Sequence, residues 1–312
     1  MDPEFKSVLD CFKKNVKKTP TKPFLGKRDD RVPGRPYVWM TNAECDEFVT
    51  NLARGYLALD LMPEIEGEGT KFRYMGIYSK NRPEWVLSDL ACSTLKGVSI
   101  AFYDTLGPSA IEYVIRQTEL TTITCSGPQL SKVILLKSQG KADSIKNLIC
   151  LDQFDKSVQK DGDDVGIRVL HVNEVIEEGR KHPNTDLEAM APGFDDIYMF
   201  CYTSGTTGDP KAAMLTHGNF LSAAYGTLQA GGVEFYEDDV WISYLPLAHS
   251  FEKAIFTAAL ICNCQVGYFS GDPLKLLDDL KELRPTCFPS VPRLFNRIYD
   301  KITAGLKEKS TI

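Results

Sequence analysis

The chain has no long hydrophobic run. Its 312 residues contain no secretory h-region and no ~18-residue apolar stretch, so nothing in it reads as a signal peptide or a transmembrane anchor. It also lacks a basic excess. With 36 Lys and Arg against 42 Asp and Glu the net charge is −6, which gives no support to nucleic-acid binding. No Cys-x-x-Cys pair occurs. The nine cysteines are irregularly placed, Cys262 and Cys264 being the closest two, and neither a disulfide framework nor zinc-ligand spacing follows from them. No Asn-x-Ser/Thr sequon is present either, and both features are expected of reduced, buried thiols in a cytosolic compartment. There is no internal repeat. What remains is an ordinary globular composition, 43% hydrophobic and 25% charged, long enough for one large or two ordinary domains.

Apolar patterning along the chain alternates between strand and helix. Residues 73–79, 98–102, 121–125 and 147–151 are short β-branched or apolar runs that predict buried strands. Between them, residues 109–117 and 130–136 carry helical spacing. Asn81 is placed to cap a helix with Pro83 in its first turn, where proline is tolerated. Residues 152–166, rich in Asp, Lys and Gly, predict a solvated loop. Lys181 to Gly193, with prolines at 183 and 192, is the expected internal boundary, giving units of 1–192 and 193–312. Alternation of this kind implies an α/β fold of doubly wound βα layers, with ligand sites at the carboxyl ends of the strands.

The stretch Tyr202-Thr203-Ser204-Gly205-Thr206-Thr207-Gly208-Asp209-Pro210-Lys211 follows an apolar run, Ile197 to Tyr202. It precedes residues 212–224, where helix formers return after His217-Gly218-Asn219. Its glycines allow close backbone approach to an anion, its hydroxyls and N–H groups are donors, and Lys211 adds a charge suited to phosphate. A solvated Ser/Thr/Gly linker is the bland alternative, weakened by the preceding strand and the Pro-Lys ending. A Walker A loop is excluded, because Pro210 stands where its second glycine belongs. A nucleophile elbow around Ser204 is excluded too, since Tyr202 and Thr206 occupy its glycine positions.

This segment resembles the phosphate loop of the adenylate-forming enzymes. Four further stretches narrow the resemblance to long-chain acyl-CoA synthetases: Ser79–Trp85, Tyr103–Gly107, Tyr244-Leu245-Pro246-Leu247-Ala248-His249-Ser250-Phe251-Glu252, and Pro289–Arg297. The resemblance implies the N-terminal domain of that fold, incomplete on its C-terminal side. The adenine motif, the ribose-binding aspartate, the hinge and the catalytic lysine of a mobile C-terminal domain would all follow the last of these stretches. Ala212 departs from the glycine usual in relatives.

What the resemblance implies is ATP-dependent activation of long-chain fatty acids, first to acyl-adenylate and then to acyl-CoA. The expected site is Thr203, Ser204, Gly205, Thr206, Thr207, Gly208 and Lys211 for ATP, with Thr203 also placing a magnesium ion. His249 would orient the acyl carboxylate rather than abstract a proton, and Trp241 and Phe251 would line an acyl tunnel beside residues 254–262. His217 matches a family position, although a structural contact is as good a reading. Glu252 could pair with a cation, cap a helix or lie on the surface; Arg293 and Arg297 would share a helix face; Asp272, Asp278 and Asp279 read as solvated. The expected partners are long-chain fatty acid, ATP and coenzyme A. Residence is expected to be cytoplasmic, with peripheral contact to the endoplasmic-reticulum, outer mitochondrial or peroxisomal membrane and a homodimer both allowed. Two alternatives stay open: a non-catalytic truncated form binding fatty acid or a partner, and a ligase for a shorter or aryl acid.

Overall fold

Two sheets make up the protein, and the chain passes from one to the other and back. The computed structural model describes residues 5–67, 69–203, 210–230 and 234–309. It begins with α1 (Val8–Lys18), β1 (Pro23–Arg28), β2 (Tyr37–Thr41) and α2 (Asn42–Ala58). Next come β3 (Glu64–Gly67), β4 (Thr70–Tyr78), α3 (Pro83–Thr94), β5 (Val98–Phe102), α4 (Pro108–Thr118), β6 (Thr122–Cys125) and α5 (Gly127–Ser138). The first half closes with β7 (Asn147–Cys150), α6 (Lys156–Asp164), β8 (Arg168–His171) and α7 (Val172–Arg180). After a 3-10 turn at Glu188–Met190 follow β9 (Ile197–Thr203), β10 (Lys211–Thr216), α8 (His217–Ala230), β11 (Val240–Ser243) and α9 (Ser250–Ile261). β12 (Gln265–Tyr268), α10 (Leu276–Leu283) and α11 (Pro292–Lys309) complete it.

The large sheet has the order β10-β9-β5-β4-β6-β7-β8, with β3 added to β4 as an antiparallel hairpin. From β9 to β8 all neighbours are parallel, and only β10 at the edge runs the other way. β5, β6 and β7 are buried at every residue, as strands covered on both faces must be. The small sheet has the order β11-β12-β1-β2, its first three strands parallel. One core, built from α1, α2, α3, α8 and α9, lies against both sheets; a second, with α4 and α5, covers the opposite face of the large one. The doubly wound α/β arrangement expected from the alternation is therefore present. The connection around residue 192 separates α7 from β9, yet each sheet takes strands from both sides of it.

Two local expectations are corrected, and one strand was not foreseen. Residues 156–164 form α6 rather than a loop: its apolar contacts are few (Val158, with Phe154 and Val165 flanking it), too sparse for a period to be read in the sequence. Residues 211–216, for which no element was expected, form the strand β10 antiparallel to β9, and α8 starts at His217, beside the point where helix formers were expected to return. Asn81 does not cap α3. Arg82 occupies the N-cap with Pro83 at the start of the helix, and Asn81 turns inward.

Candidate functional site

The carboxyl ends of β4 and β5 in the large sheet and of β11 and β12 in the small sheet face one crevice, the position at which α/β sheets bind ligands. It holds a cavity of about 360 Å³. Its walls are mainly apolar: Phe102 and Tyr103 after β5, Tyr244, Leu245 and Leu247 after β11, and Phe269 after β12. Lys80, Asp104 and Arg297 supply the charged side chains, Arg297 reaching it from α11.

The loop after β11 carries the Tyr244–Glu252 stretch, and hydrogen bonds from three directions set its path. Asn81 donates from Nδ2 to Ser243 Oγ (3.0 Å) and to the Leu245 carbonyl (2.6 Å), while its Oδ1 accepts from the Leu247 N–H (3.0 Å). Ser243 in turn donates to Glu252 Oε1 (2.5 Å). From the large sheet, the Cys201 thiol of β9 donates to the Ala248 carbonyl (3.6 Å). This last contact brings the strand that ends at Thr203 against the loop that ends at His249.

His249 is the N-cap of α9 and is exposed to solvent. Its Nδ1 accepts from the Phe251 N–H (3.1 Å), so the neutral ring carries its proton on Nε2, which is left to donate outward. Thr203 and Lys211 are cross-strand partners at the end of the β9–β10 pair where the chain passes from one strand to the other, and Thr203 Oγ1 donates to the Lys211 carbonyl (3.4 Å). The Lys211 side chain is exposed and, among the described residues, has no carboxylate in salt-bridge range. Ser204, Gly205, Thr206, Thr207 and Gly208 lie outside the described residues. Trp241 is buried in β11 against Phe235 (ring centroids 5.1 Å apart), and Phe251 is exposed in the first turn of α9; neither lines the cavity. Residues 254–261 belong to α9, which is buried among core side chains.

The magnesium expectation meets a single hydroxyl, that of Thr203. Among the described residues no group of three His, Cys, Asp or Glu side chains could hold a metal ion, and one neutral hydroxyl is too weak a donor to make a magnesium site by itself.

Behind the site the polar groups are structural. His217 is buried, stacked on Tyr198 with centroids 4.4 Å apart, and its Nδ1 accepts from the Val8 N–H (3.2 Å). Burial pulls its pKa down to about 4. Arg82 ties the ends of three strands together, donating to Glu84 (2.9 Å) and Asp152 (2.6 Å) while Asp152 accepts from the Gly127 N–H (2.7 Å). Burial works to raise the Glu84 pKa, but the Arg82 guanidinium outweighs it and holds that carboxyl at about 2. Asp279, expected to be solvated, is fully buried instead: it accepts from Ser270 N–H and Oγ (2.8 Å each) and pairs with Arg28 at 3.2 Å.

Sequence reasoning did not foresee the roles of Asn81 and Glu252. Glu252 is 2% exposed, and burial pushes its pKa up to about 8. The available signal was the mainly apolar stretch 254–262 that begins two residues later and places the same helix in the core. Asn81 gave no local signal beyond its place next to Pro83, because its partners lie more than 160 residues away.

Comparison with known proteins gives the family and the fold. A family model described as AMP-binding enzyme matches residues 12–311. The chain is 36% identical over 300 residues to rat (Rattus norvegicus) long-chain-fatty-acid–CoA ligase 5, covering 95% of this chain and 42% of the relative. It is also 36% identical over 315 residues to the peroxisomal long chain acyl-CoA synthetase 6 of Arabidopsis thaliana, covering 98% and 43%. The chain thus spans less than half the length of these relatives. Among solved structures, the A domain of a carboxylic acid reductase from Segniliparus rugosus, in complex with AMP and a co-purified carboxylic acid, superposes with a TM-score of 0.82. It is 18% identical, over 98% of this chain and 51% of that one. At that identity the likeness speaks for the fold.

Proposed function

This chain belongs to the AMP-binding enzyme family, and we propose on that basis that it forms the phosphate-binding and acyl-binding part of a long-chain fatty acid–CoA ligase. The observation that carries the reading is the Cys201–Ala248 contact. It sets the β9–β10 hairpin, with Thr203 and Lys211, against the loop of His249 and the apolar cavity, which supports a reading in which the residues proposed for phosphate and for the acyl chain adjoin. In the proposed reaction a carboxylate oxygen attacks the α-phosphorus of ATP, the α–β phosphoanhydride bond breaks, and pyrophosphate leaves. The acyl-adenylate then yields its acyl group to the thiol of coenzyme A, and AMP leaves.

A carboxylate is already ionised near pH 7, so His249 has no proton to remove. Its outward Nε2–H is suited to hold one carboxylate oxygen while the other attacks. Lys211 carries a charge free to hold the departing phosphates, the positioning and electrostatic work that phosphoryl chemistry needs. The cavity, apolar and about 360 Å³, takes the start of an alkyl chain. Among the described residues no helix is long and apolar enough to cross a membrane.

The test is fatty-acid-dependent exchange of radiolabelled pyrophosphate into ATP, with circular dichroism to establish folding. Exchange that requires a long-chain acid supports the reading. A folded sample that exchanges with an aryl acid and not with a fatty acid overturns the substrate class, and one that exchanges with neither overturns adenylation by this chain.

A further inference from the structure

We propose that Glu252 is a positioning residue for the acyl cavity, acting through Ser243 and Asn81 to fix the 244–248 loop that forms one wall. The inference rests on the acyl reading above and names a residue that the reading does not require.

A serine hydroxyl has a single proton. Ser243 gives its proton to Glu252, so its oxygen can only accept, and it accepts from Asn81 Nδ2. That fixes which way the Asn81 amide faces. With Nδ2 held on Ser243 and on the Leu245 carbonyl, Oδ1 is the atom turned to the Leu247 N–H. Two backbone groups of the cavity wall, two residues apart, are thereby held by one amide whose orientation is decided on α9. All three side chains are nearly sealed from water: Asn81 is 8% exposed, and Ser243 and Glu252 are each 2%. Water therefore cannot stand in for a missing partner. The chain of bonds also joins three elements, the end of β4, the end of β11 and the first turn of α9. Because His249 caps that same helix, the wall and the expected carboxylate-orienting group share one anchor.

Without an acceptor at position 252 the Ser243 proton is free to turn toward Asn81, in conflict with its donated hydrogen bond, and the wall loses its fixed register. Glu252→Gln keeps an acceptor oxygen and keeps the relay. Glu252→Leu fills similar space without one, and Ser243→Ala removes the middle member.

The experiment measures binding of a fluorescent fatty acid and of a fluorescent ATP analogue to the wild type and these three variants, alongside amide hydrogen exchange at Leu247. Expected results are wild-type acid affinity for E252Q and affinity lowered about tenfold for E252L and S243A, the worth of one buried hydrogen bond. Nucleotide affinity stays unchanged in all three, and Leu247 exchange is fast only in E252L and S243A. Equal loss of acid and nucleotide affinity would mean a general structural role and overturn the proposal. So would an E252Q that behaves like E252L, or slow Leu247 exchange in every variant. If the wild type binds no fatty acid the acyl reading fails, and Leu247 exchange alone then decides whether the relay sets the wall.

Discussion

Lys253 and Asp89 form an ion pair in the core, both completely shielded from solvent, joining α9 to α3. The Tyr198 hydroxyl donates to the same Asp89 oxygen, and the Lys253 ammonium lies over the rings of Tyr198 (4.7 Å), Trp85 (5.1 Å) and Phe256 (5.6 Å). Breaking one partner leaves a bare charge in a medium that cannot solvate it. Lys253→Met alone is expected to cost about 3–5 kcal/mol in urea unfolding. The combination Asp89→Leu, Lys253→Met and Tyr198→Phe, which leaves no charge and no orphaned hydroxyl, is expected to recover most of that. A single variant within about 1 kcal/mol of wild type, on the scale of exposed ion pairs, would show that the pair is not held as described.

Two buried groups give stability opposite pH slopes. Glu252 keeps its proton in the folded state up to about pH 8, while in the unfolded chain it ionises near its ordinary 4.5. Between those values the unfolded state has released the proton and the native state has not. Its contribution is therefore fully present below pH 4.5 and lost as pH rises through 8, by about 5 kcal/mol. His217 is the reverse. Held neutral down to about pH 4 against an ordinary 6.5, it contributes fully above 6.5 and loses about 3 kcal/mol as pH falls to 4. Unfolding midpoints measured from about pH 4 to 9 should show Glu252→Gln removing the fall between about 4.5 and 8, so that the His217 rise between about 4 and 6.5 stands unopposed.

Much of this architecture was legible in the sequence, for a definite reason. The strands at 98–102, 122–125 and 147–150 are buried on both faces, so burial demands an apolar run that has no other use. Helix α6 was not legible, because it rests on the core through a few half-buried side chains and shows solvent the rest. The strand β10 was hidden likewise: it lies at the sheet edge, and of its residues Lys211, Ala213 and Met214 are exposed. Lys211 stood out because it closes a short Ser/Thr/Gly run, and His249 through the family resemblance of the stretch that holds it. Asn81 and Asp279 did not, because Asn81 pairs with Ser243 and Asp279 with Arg28, both far along the chain; Glu252 has its partner Ser243 close by, but its burial comes from the packing of α9 in the core.

Lys211 is exposed at the start of β10 and pairs with no carboxylate among the described residues. Lys211→Ala should leave the thermal midpoint unchanged, as surface substitutions generally do. Affinity for ATP should fall by about tenfold, the loss of one charge-assisted contact to phosphate. Isothermal titration with ATP reads the second quantity and calorimetry the first. Unaltered ATP affinity would remove Lys211 from the phosphate site.

Glycine to alanine is expected to act in opposite directions at two helical positions. Helices α2 and α7 cross where Gly55 and Gly179 let the backbones touch. A Cβ on Gly179 would collide with the Asn51 carbonyl, and one on Gly55 with the Val175 carbonyl. Neither obstacle is a side chain that can swing aside, so the helices must separate, and Gly179→Ala should destabilise by about 1–3 kcal/mol. Gly226 lies within α8, with nothing inside 4 Å of the place its Cβ would take. There alanine only reduces the freedom of the unfolded chain and improves helix propensity, and Gly226→Ala should stabilise by about 0.5–1 kcal/mol. Denaturant midpoints of the two variants measured side by side should move to opposite sides of the wild type. A stabilising Gly179→Ala would mean that α2 and α7 do not cross through their glycines.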